Sequence, residues 1–322
     1  MVWLSGVSPS FAKAEETLAR IGRVAISDSS VWRRVEKWGP QLQALEEASQ
    51  NQGNQPLTVE EMKQKASPKM GKKGAAMDGT TIYVRGEGWK ELKVGCTFDV
   101  EVKPTKDKET GHWQDKAHAV HNQYVAHLGG SEQIGQMTWV LARGNAWFTA
   151  AKSIVLGDGA VWIWNQADHH FSGSEQLVDW YHATEHLGTA ARLLYGQDTA
   201  QRHAWYDAQQ TALFHGQAEQ IAQDLVALAE EKPLALADEL LTEAGYFDNN
   251  HKRMDYLRLQ LAGYPIGSGM VESGCKQFKA RFDGPGMRWS RPGAEHLLPI
   301  RAAVMSGCFD ATWDQIYHLP PN

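Results

Sequence analysis

Cysteine is scarce in this chain: 322 residues hold three, Cys96, Cys275 and Cys308, with no Cys-x-x-Cys among them. So small and scattered a set excludes a disulfide framework and a cysteine zinc ribbon. Long apolar runs are missing too. No stretch approaches the roughly 18 to 20 residues that a membrane span needs. The opening MVWLSGVSPSFAKAEE has neither the basic nor the apolar region of an export signal. The expectation is a soluble, intracellular protein with no membrane partner. No internal repeat is visible. What is present is ordinary globular stock: 42% hydrophobic residues and a mean hydropathy of −0.46. That excludes disorder as the main state and suffices for one large domain or two to three modest ones.

The net charge of −6 argues against a nucleic-acid partner until its distribution is read. Residues 1–75 carry 11 Lys and Arg against 8 Asp and Glu, and residues 270–301 carry 6 against 3. Residues 183–262 carry 6 against 12. The basic charge is concentrated in particular segments that the sum hides.

Phe11, Ala14, Leu18 and Ile21 fall at helical spacing and stop at Gly22. Ser27 to Ser30 offer N-caps to a second helix with Val31, Val35 and Trp38 on one face, closed by Gly39. This predicts a helix-turn-helix outline over residues 1–47, with Arg33, Arg34 and Lys37 turned outward toward phosphates or base edges. A plain helical hairpin with a solvated basic face fits the same pattern. Residues 48–75 read as a linker, polar to Pro56, with a capping box at Thr58 and Glu61 for one short helix and then a flexible basic stretch. From Met77 the period becomes two, and an antiparallel hairpin runs through Val102, followed by a Lys, Asp and His-rich loop. A third strand is expected at Val120–His127, a helix at Ser131–Thr149, a buried strand ending at Asp158, a helix after it, and a strand at Leu177–His182. Residues 183–262 read as helical and acidic, and Gly267–Phe282 as a helix with Val271, Cys275, Phe278 and Phe282 on its core face. The fold class is α/β: a mixed sheet in residues 76–182 with flanking helices, an all-helical insertion, and final helices in 263–322, preceded by the small helical N-terminal region.

Three acids stand where packing would not place them. Asp78 opens the first strand, Asp158 ends an apolar one, and Glu272 adjoins Val271 on the last long helix. A carboxylate at the edge of a buried run costs several kcal/mol unless it is paired, hydrogen-bonded or metal-bound. Three converging acids suit a hard divalent cation such as Mg²⁺, and a pair of such ions about 3.5 to 4 Å apart serves phosphoryl transfer. Lys276 and Lys279 follow Glu272 at i+4 and i+7 on one face, which suits a metal-bound phosphodiester; a surface Glu-Lys pair is the plainer reading.

The segments MDGTTIYVR, VLGDGAVWIWN, LVDWYHATEHL and PIGSGMVESGCKQFKARFDGPGMRWSRPGAEHLLPIRA resemble, in order, the blocks of bacterial DDE transposases of the Mutator-like group, most closely the ISKra-type insertion-sequence transposases. The similarity runs from about Ser27 to Ala302. It implies a ribonuclease H-like core interrupted by the helical insertion, with Asp78, Asp158 and Glu272 as the DDE triad. Two Mg²⁺ ions, replaceable by Mn²⁺, would be held by these three acids. Asp179 and His182 match the family's acid-x-x-His element, as groups that support the metal ligands or position DNA, together with Lys276 and Lys279. The partners implied are double-stranded DNA, as element ends and target, and further copies of the chain as a homodimer or larger assembly on DNA, in a bacterial cytoplasm near the nucleoid. Arg281 and Arg288 join Arg33, Arg34 and Lys37 as expected DNA contacts. Family members usually carry a further segment ahead of the part resembling VWLSGVSPSFAKAEE.

Two rival patterns lead elsewhere. His182 to His186 fits His-x-x-Glu-His, the inverted zinc-protease motif, but a strand expected to run up to His182 argues against it. Gly267-Ser268-Gly269 lacks the Lys-Ser/Thr of a phosphate loop and reads as a tight turn into the Glu272 helix. The functional expectation is therefore a transposase that cuts element ends and joins the freed 3′-OH to target DNA. The alternative is a catalytically silent DNA-binding regulator, or a truncated or host-adopted derivative.

Overall fold

The computed structural model describes residues 1–53, 55–106, 111–197 and 199–317. The chain opens with helices α1 (Val2–Val7), α2 (Phe11–Arg20), α3 (Asp28–Gly53) and α4 (Val59–Ala66). Strands β1 (Lys72–Val84), β2 (Gly88–Lys106) and β3 (Trp113–His127) follow, then α5 (Ser131–Gly144), β4 (Lys152–Gly157), α6 (Val161–His170) and β5 (Glu175–Val178). A helical block comes next: α7 (Trp180–Tyr195), α8 (Ala200–Phe214), α9 (Ala218–Glu230), α10 (Leu234–Asn250) and α11 (Tyr256–Leu261). Helices α12 (Gly269–Phe282), α13 (Arg291–Met305) and α14 (Phe309–Tyr317) close the described chain. Among the described residues no helix is long and apolar enough to cross a membrane.

The five strands form one mixed sheet in the order β3-β2-β1-β4-β5. The β1–β2 and β2–β3 pairs are antiparallel, whereas β1–β4 and β4–β5 are parallel. Successive strand residues point to opposite faces. Val94 of β2 meets Gly274 of α12, while a side chain at Gly95 would strike Thr138 of α5. The sheet is thus covered on both faces, which explains why Ile154 to Gly157 of β4 are buried without alternation.

Several boundaries differ from the sequence reading. Helix α3 does not stop at Gly39 but continues through Pro40 to Gly53, into the segment expected to be linker. Gly39 is a contact glycine: a side chain there would collide with His296 of α13. Pro40 removes one backbone hydrogen bond, yet Val31, Val35 and Leu42 are buried, and α3 keeps its packing on α13 across it. The basic stretch at Lys72 and Lys73 is the start of β1, so Asp78 lies in mid-strand rather than at its opening. The polar loop after Val102 is largely strand: Glu101 to Lys106 pair with His118 to Trp113, extending beyond the last β1 pairing, Lys72 with Val100. Strand β5 ends at Val178, four residues short of His182.

The N-terminal helices are welded to the C-terminal ones. Arg281 Nε donates to the Ser5 carbonyl at 2.9 Å, and Arg301 Nη1 to that of Gly6 at 2.6 Å. The two guanidiniums thereby satisfy carbonyls at the end of α1, where the helix dipole favours cations. The segment after α3 is tied down as well. Arg143 of α5 forks onto Glu61 with Nε–Oε1 2.6 Å and Nη2–Oε2 2.7 Å, and its Nη1 reaches the Gly53 carbonyl at 2.6 Å. The Thr58 and Glu61 capping box is present.

The Arg143 fork holds the Glu61 carboxyl down at about 2, below the usual carboxylate range. A carboxyl depressed on folding contributes stability above its unfolded pKa, and that contribution is lost as pH falls toward the folded value. Glu61→Gln is expected to cost about 3 kcal/mol at neutral pH. Thermal melts should show the gap between variant and wild type closing between about pH 4.5 and 2.

Candidate metal centre

The sheet brings two of the three acids together by register. Ala76 of β1 pairs with Leu156 of the parallel β4; Asp78 lies two residues further along β1 and Asp158 directly after β4, near enough for the Asp158 charge to act on Asp78. Asp78 Oδ1 accepts the Gly79 amide at 2.6 Å. Asp158 Oδ1 accepts the Ala160 amide at 2.8 Å, which starts the turn into α6. The turn needs Gly159, whose φ is +107° and whose missing side chain leaves room for the Tyr246 ring. From α10, the Tyr246 hydroxyl donates to the Asp158 carbonyl at 2.9 Å. Burial raises the Asp78 carboxyl above its usual value and the nearby Asp158 charge adds to this, while the Gly79 amide and the Cys275 thiol oppose it by hydrogen bonding.

Glu272 arrives in the first turn of α12. Its Oε1 lies 3.3 Å from the Ser268 hydroxyl, and Lys276 Nζ is 3.6 Å from Oε2. Cys275, one turn along the same helix, is 5% exposed and sits among the acids. Burial pushes its thiol pKa up; the charge of Asp78 and the hydrogen bond to it reinforce this, followed by the charges of Glu272 and Asp158. The sequence reading assigned Cys275 to the core face and missed its contact with Asp78. Its i+3 offset from Glu272 was the available signal, since it puts both on adjoining stripes of one helix.

Asp179, His182 and Glu272 form the tightest group: one potential ligand atom from each lies within 4.8 Å of the others. Asp179 is fully buried, and both of its oxygens are engaged. Oδ1 takes the His182 amide at 2.9 Å, and Oδ2 makes a short hydrogen bond with the Ser268 amide. Asp179 is therefore the N-cap of α7, and His182 lies in the first helical turn rather than at a strand end. The Asp-x-x-His spacing is that of an N-cap and its third helical residue. Through Ser268, the same carboxylate clasps the entry to α12 and so fixes where Glu272 stands.

The other expected residues divide. His186, one turn after His182, faces α10: Nδ1 meets Glu243 at 2.6 Å and the ring stacks on Tyr246 at 3.5 Å. It is absent from the acid and histidine group, so the His-x-x-Glu-His motif does not converge even though both histidines are on one helix. Lys279 pairs with Asp283 at 3.7 Å and not with Glu272. Arg281 is a correction: at 2% exposure, between the rings of Phe11 and Trp289 at 4.6 and 5.3 Å, it cannot meet DNA. Its i+9 offset from Glu272 carries it to the buried side of α12. Arg33, Arg34, Lys37 and Arg288 are exposed. Arg33 bonds to Ser29 and Ser30, Lys37 lies over Trp38, and Arg288 lies over Tyr83.

Among the described residues the group able to hold a metal ion is Asp179, His182 and Glu272, two carboxylates and an imidazole that suit a divalent cation; Asp78 and Asp158 lie outside that group. No protein-family model and no curated protein matches the chain.

Asp179→Asn replaces one of two engaged oxygens by an N–H₂ that faces a backbone N–H. It is expected to lower stability by about 2 kcal/mol and to loosen the α12 entry. A thermal melt equal to wild type would contradict the clasp.

Proposed function

We propose that the protein is a divalent-metal-dependent DNA transposase with a ribonuclease H-like core, in which the helices after β5 are an insertion ahead of the last catalytic helix. The observation that supports this reading is that Asp78, Asp158 and Glu272 all lie near the Cys275 thiol, with Glu272 also in the group able to hold a metal ion. They are widely separated in sequence, yet Asp78 lies two residues beyond the last β1–β4 pair, Asp158 follows directly on β4 with its charge acting on Asp78, and Cys275 of the Glu272 helix touches Asp78. The resemblance of four ordered sequence blocks to bacterial DDE transposases supports the same three residues.

In this reading Asp78, Asp158 and Glu272 would hold two Mg²⁺ ions, with Mn²⁺ as a substitute. The bound ions supply a lowered pKa for an attacking water and charge stabilisation for the leaving oxygen. The chain does the positioning. Asp179 fixes the α12 entry, His182 borders the acids where it can hold a phosphate oxygen or a water, and Lys276 offers an ammonium group beside Glu272. Water cleaves a phosphodiester at the element end and leaves a 3′-OH. That hydroxyl then attacks a target phosphodiester in line, expelling the target strand's own 3′-oxygen, and no covalent enzyme intermediate forms. Exposed Arg33, Arg34 and Lys37 on α3 supply contacts to duplex DNA, and a homodimer or larger assembly would pair two element ends.

Asp78→Asn tests the chemistry. Strand cleavage with Mg²⁺ or Mn²⁺ should fall by at least about a hundredfold, while DNA affinity and melting stay near wild type, because relief of carboxylate repulsion offsets the weaker hydrogen bonding. Unchanged cleavage removes Asp78 from the site. A wild-type protein that binds element ends but never cuts them is the silent regulator instead.

Arg33→Ala with Arg34→Ala tests the DNA-binding role of α3. The log-log salt dependence of duplex binding should flatten by about 0.9 for each phosphate that is no longer neutralised. An unaltered slope means that this face is only solvated.

A further inference from the structure

The closed end of the β1–β2 hairpin carries a surface that neither the acids nor the core uses. Tyr83 and Trp89 are cross-strand partners, their rings 5.7 Å apart and at 85° to one another. Trp89 is 60% exposed, so one large aromatic surface faces solvent. Alongside, Trp289 extends the sheet by a bridge to Val84, and its carbonyl accepts the Arg85 amide at 2.7 Å. The Trp289 indole turns inward, where Nε1 donates to the Phe282 carbonyl at 2.8 Å. By strand alternation the preceding residue turns outward, and the Arg288 guanidinium lies 5.5 Å over the Tyr83 ring.

The charges at this end are unbalanced in one direction. Glu87 is engaged by Arg291 at 2.6 Å and Lys90 at 3.8 Å, and Glu91 is paired with Lys93. Arg85 and Arg288 are exposed and form no ion pair among the described residues. Two guanidiniums without carboxylates beside an uncovered indole match a ligand that is flat, aromatic and anionic. A base with its flanking phosphates has those properties. A duplex hides its base faces in the stack, so the fit is to an unpaired nucleotide.

We propose that Tyr83, Trp89, Arg85 and Arg288 form a stacking platform for an unpaired nucleotide of a bound DNA strand, with the base on Trp89 and the guanidiniums at the adjoining phosphates. The proposal rests on the DNA-processing reading above and adds where the strand lies. Tyr83 is five residues along β1 from Asp78, about 17 Å at the rise of a strand, and the odd offset turns its ring to the other face of the sheet, so a strand that meets both sites passes around the hairpin end. The separation along β1 alone equals about five stacked nucleotides, and the path between the faces is longer. The platform therefore grips the strand away from the bond that is cut, and it acts in binding rather than in the chemical step.

The test uses the full chain in EDTA, so that no cleavage intervenes, with a fluorescein-labelled oligothymidylate of about 20 nucleotides and a duplex of equal length. Fluorescence anisotropy of Trp89→Ala should show about tenfold weaker binding to the single strand, with duplex affinity changed less than about twofold and an unaltered melt. Trp89→Phe should restore most of the affinity. Arg85→Ala with Arg288→Ala should flatten the single-strand salt dependence by about 0.7 for each phosphate released. Single-strand affinity unchanged in folded Trp89→Ala overturns the platform, as does an equal loss on both DNAs. If wild type binds the duplex and Trp89→Ala is silent, only the platform fails; if wild type binds neither DNA, the functional reading fails with it.

Discussion

The parallel pairing of β1 with β4 is the constraint on which the rest of the molecule depends. It brings two carboxylates near one another at one end of the inner strands, where burial and the Asp158 charge raise the cost of ionising Asp78. A sheet selected only for stability would place apolar residues there, as it does at Ala76 and Leu156 just below. The surrounding structure compensates with amide donors from Gly79 and Ala160, a thiol from α12, and a sharp glycine turn that moves the chain away after Asp158. A bound cation would complete that compensation, which is the physical content of the proposed function.

The second level of organisation brings distant chain segments onto this edge. Asp179 ends the last strand, caps α7 and clasps the start of α12 with a single buried carboxylate. The Trp180 amide adds a bond to the Ile266 carbonyl at 3.0 Å, so strand end and helix start are joined twice. Tyr246 links α10 to the Asp158 carbonyl and also stacks on His186. The acidic helical block is thereby attached to the candidate centre through one aromatic side chain, although Asp158 and Tyr246 are far apart in sequence.

Much of this was legible in the residues. The alternation after Met77 and the core face of α12 predict the elements found by their period, and the apolar run to Asp158 does so by its shortness and its β-branched residues. The capping box at Thr58 and Glu61 was equally plain. Local signals failed where a distant contact outweighed them. Gly39-Pro40 reads as a stop, but the glycine answers to His296, some 250 residues away. Asp179 reads as a strand residue because a cap and a strand end look alike until the helix behind it is known. The partners of Arg281 lie in the first helices and in Trp289, so its spacing on α12 opposite Glu272 hinted at burial while nothing within the helix showed what would accept from a buried guanidinium. Cys275 was hidden by its hydrophobic neighbours, since a thiol counts as apolar in any periodicity.

The anchoring of α1 has a consequence for how the chain can be divided. Arg281 and Arg301 are turned inward with carbonyls of α1 as partners, and Arg281 Nη2 and Arg301 Nε already lack one. A polypeptide lacking residues 1–10 would take from Arg281, on the helix that bears Glu272, the Ser5 carbonyl, while Arg301 would keep only the Gln277 carbonyl. A buried cation stripped of its acceptors is among the most destabilising lesions a core can carry. Removal of the first helices, by a protease or by a later start of translation, is therefore felt directly at α12 and α13.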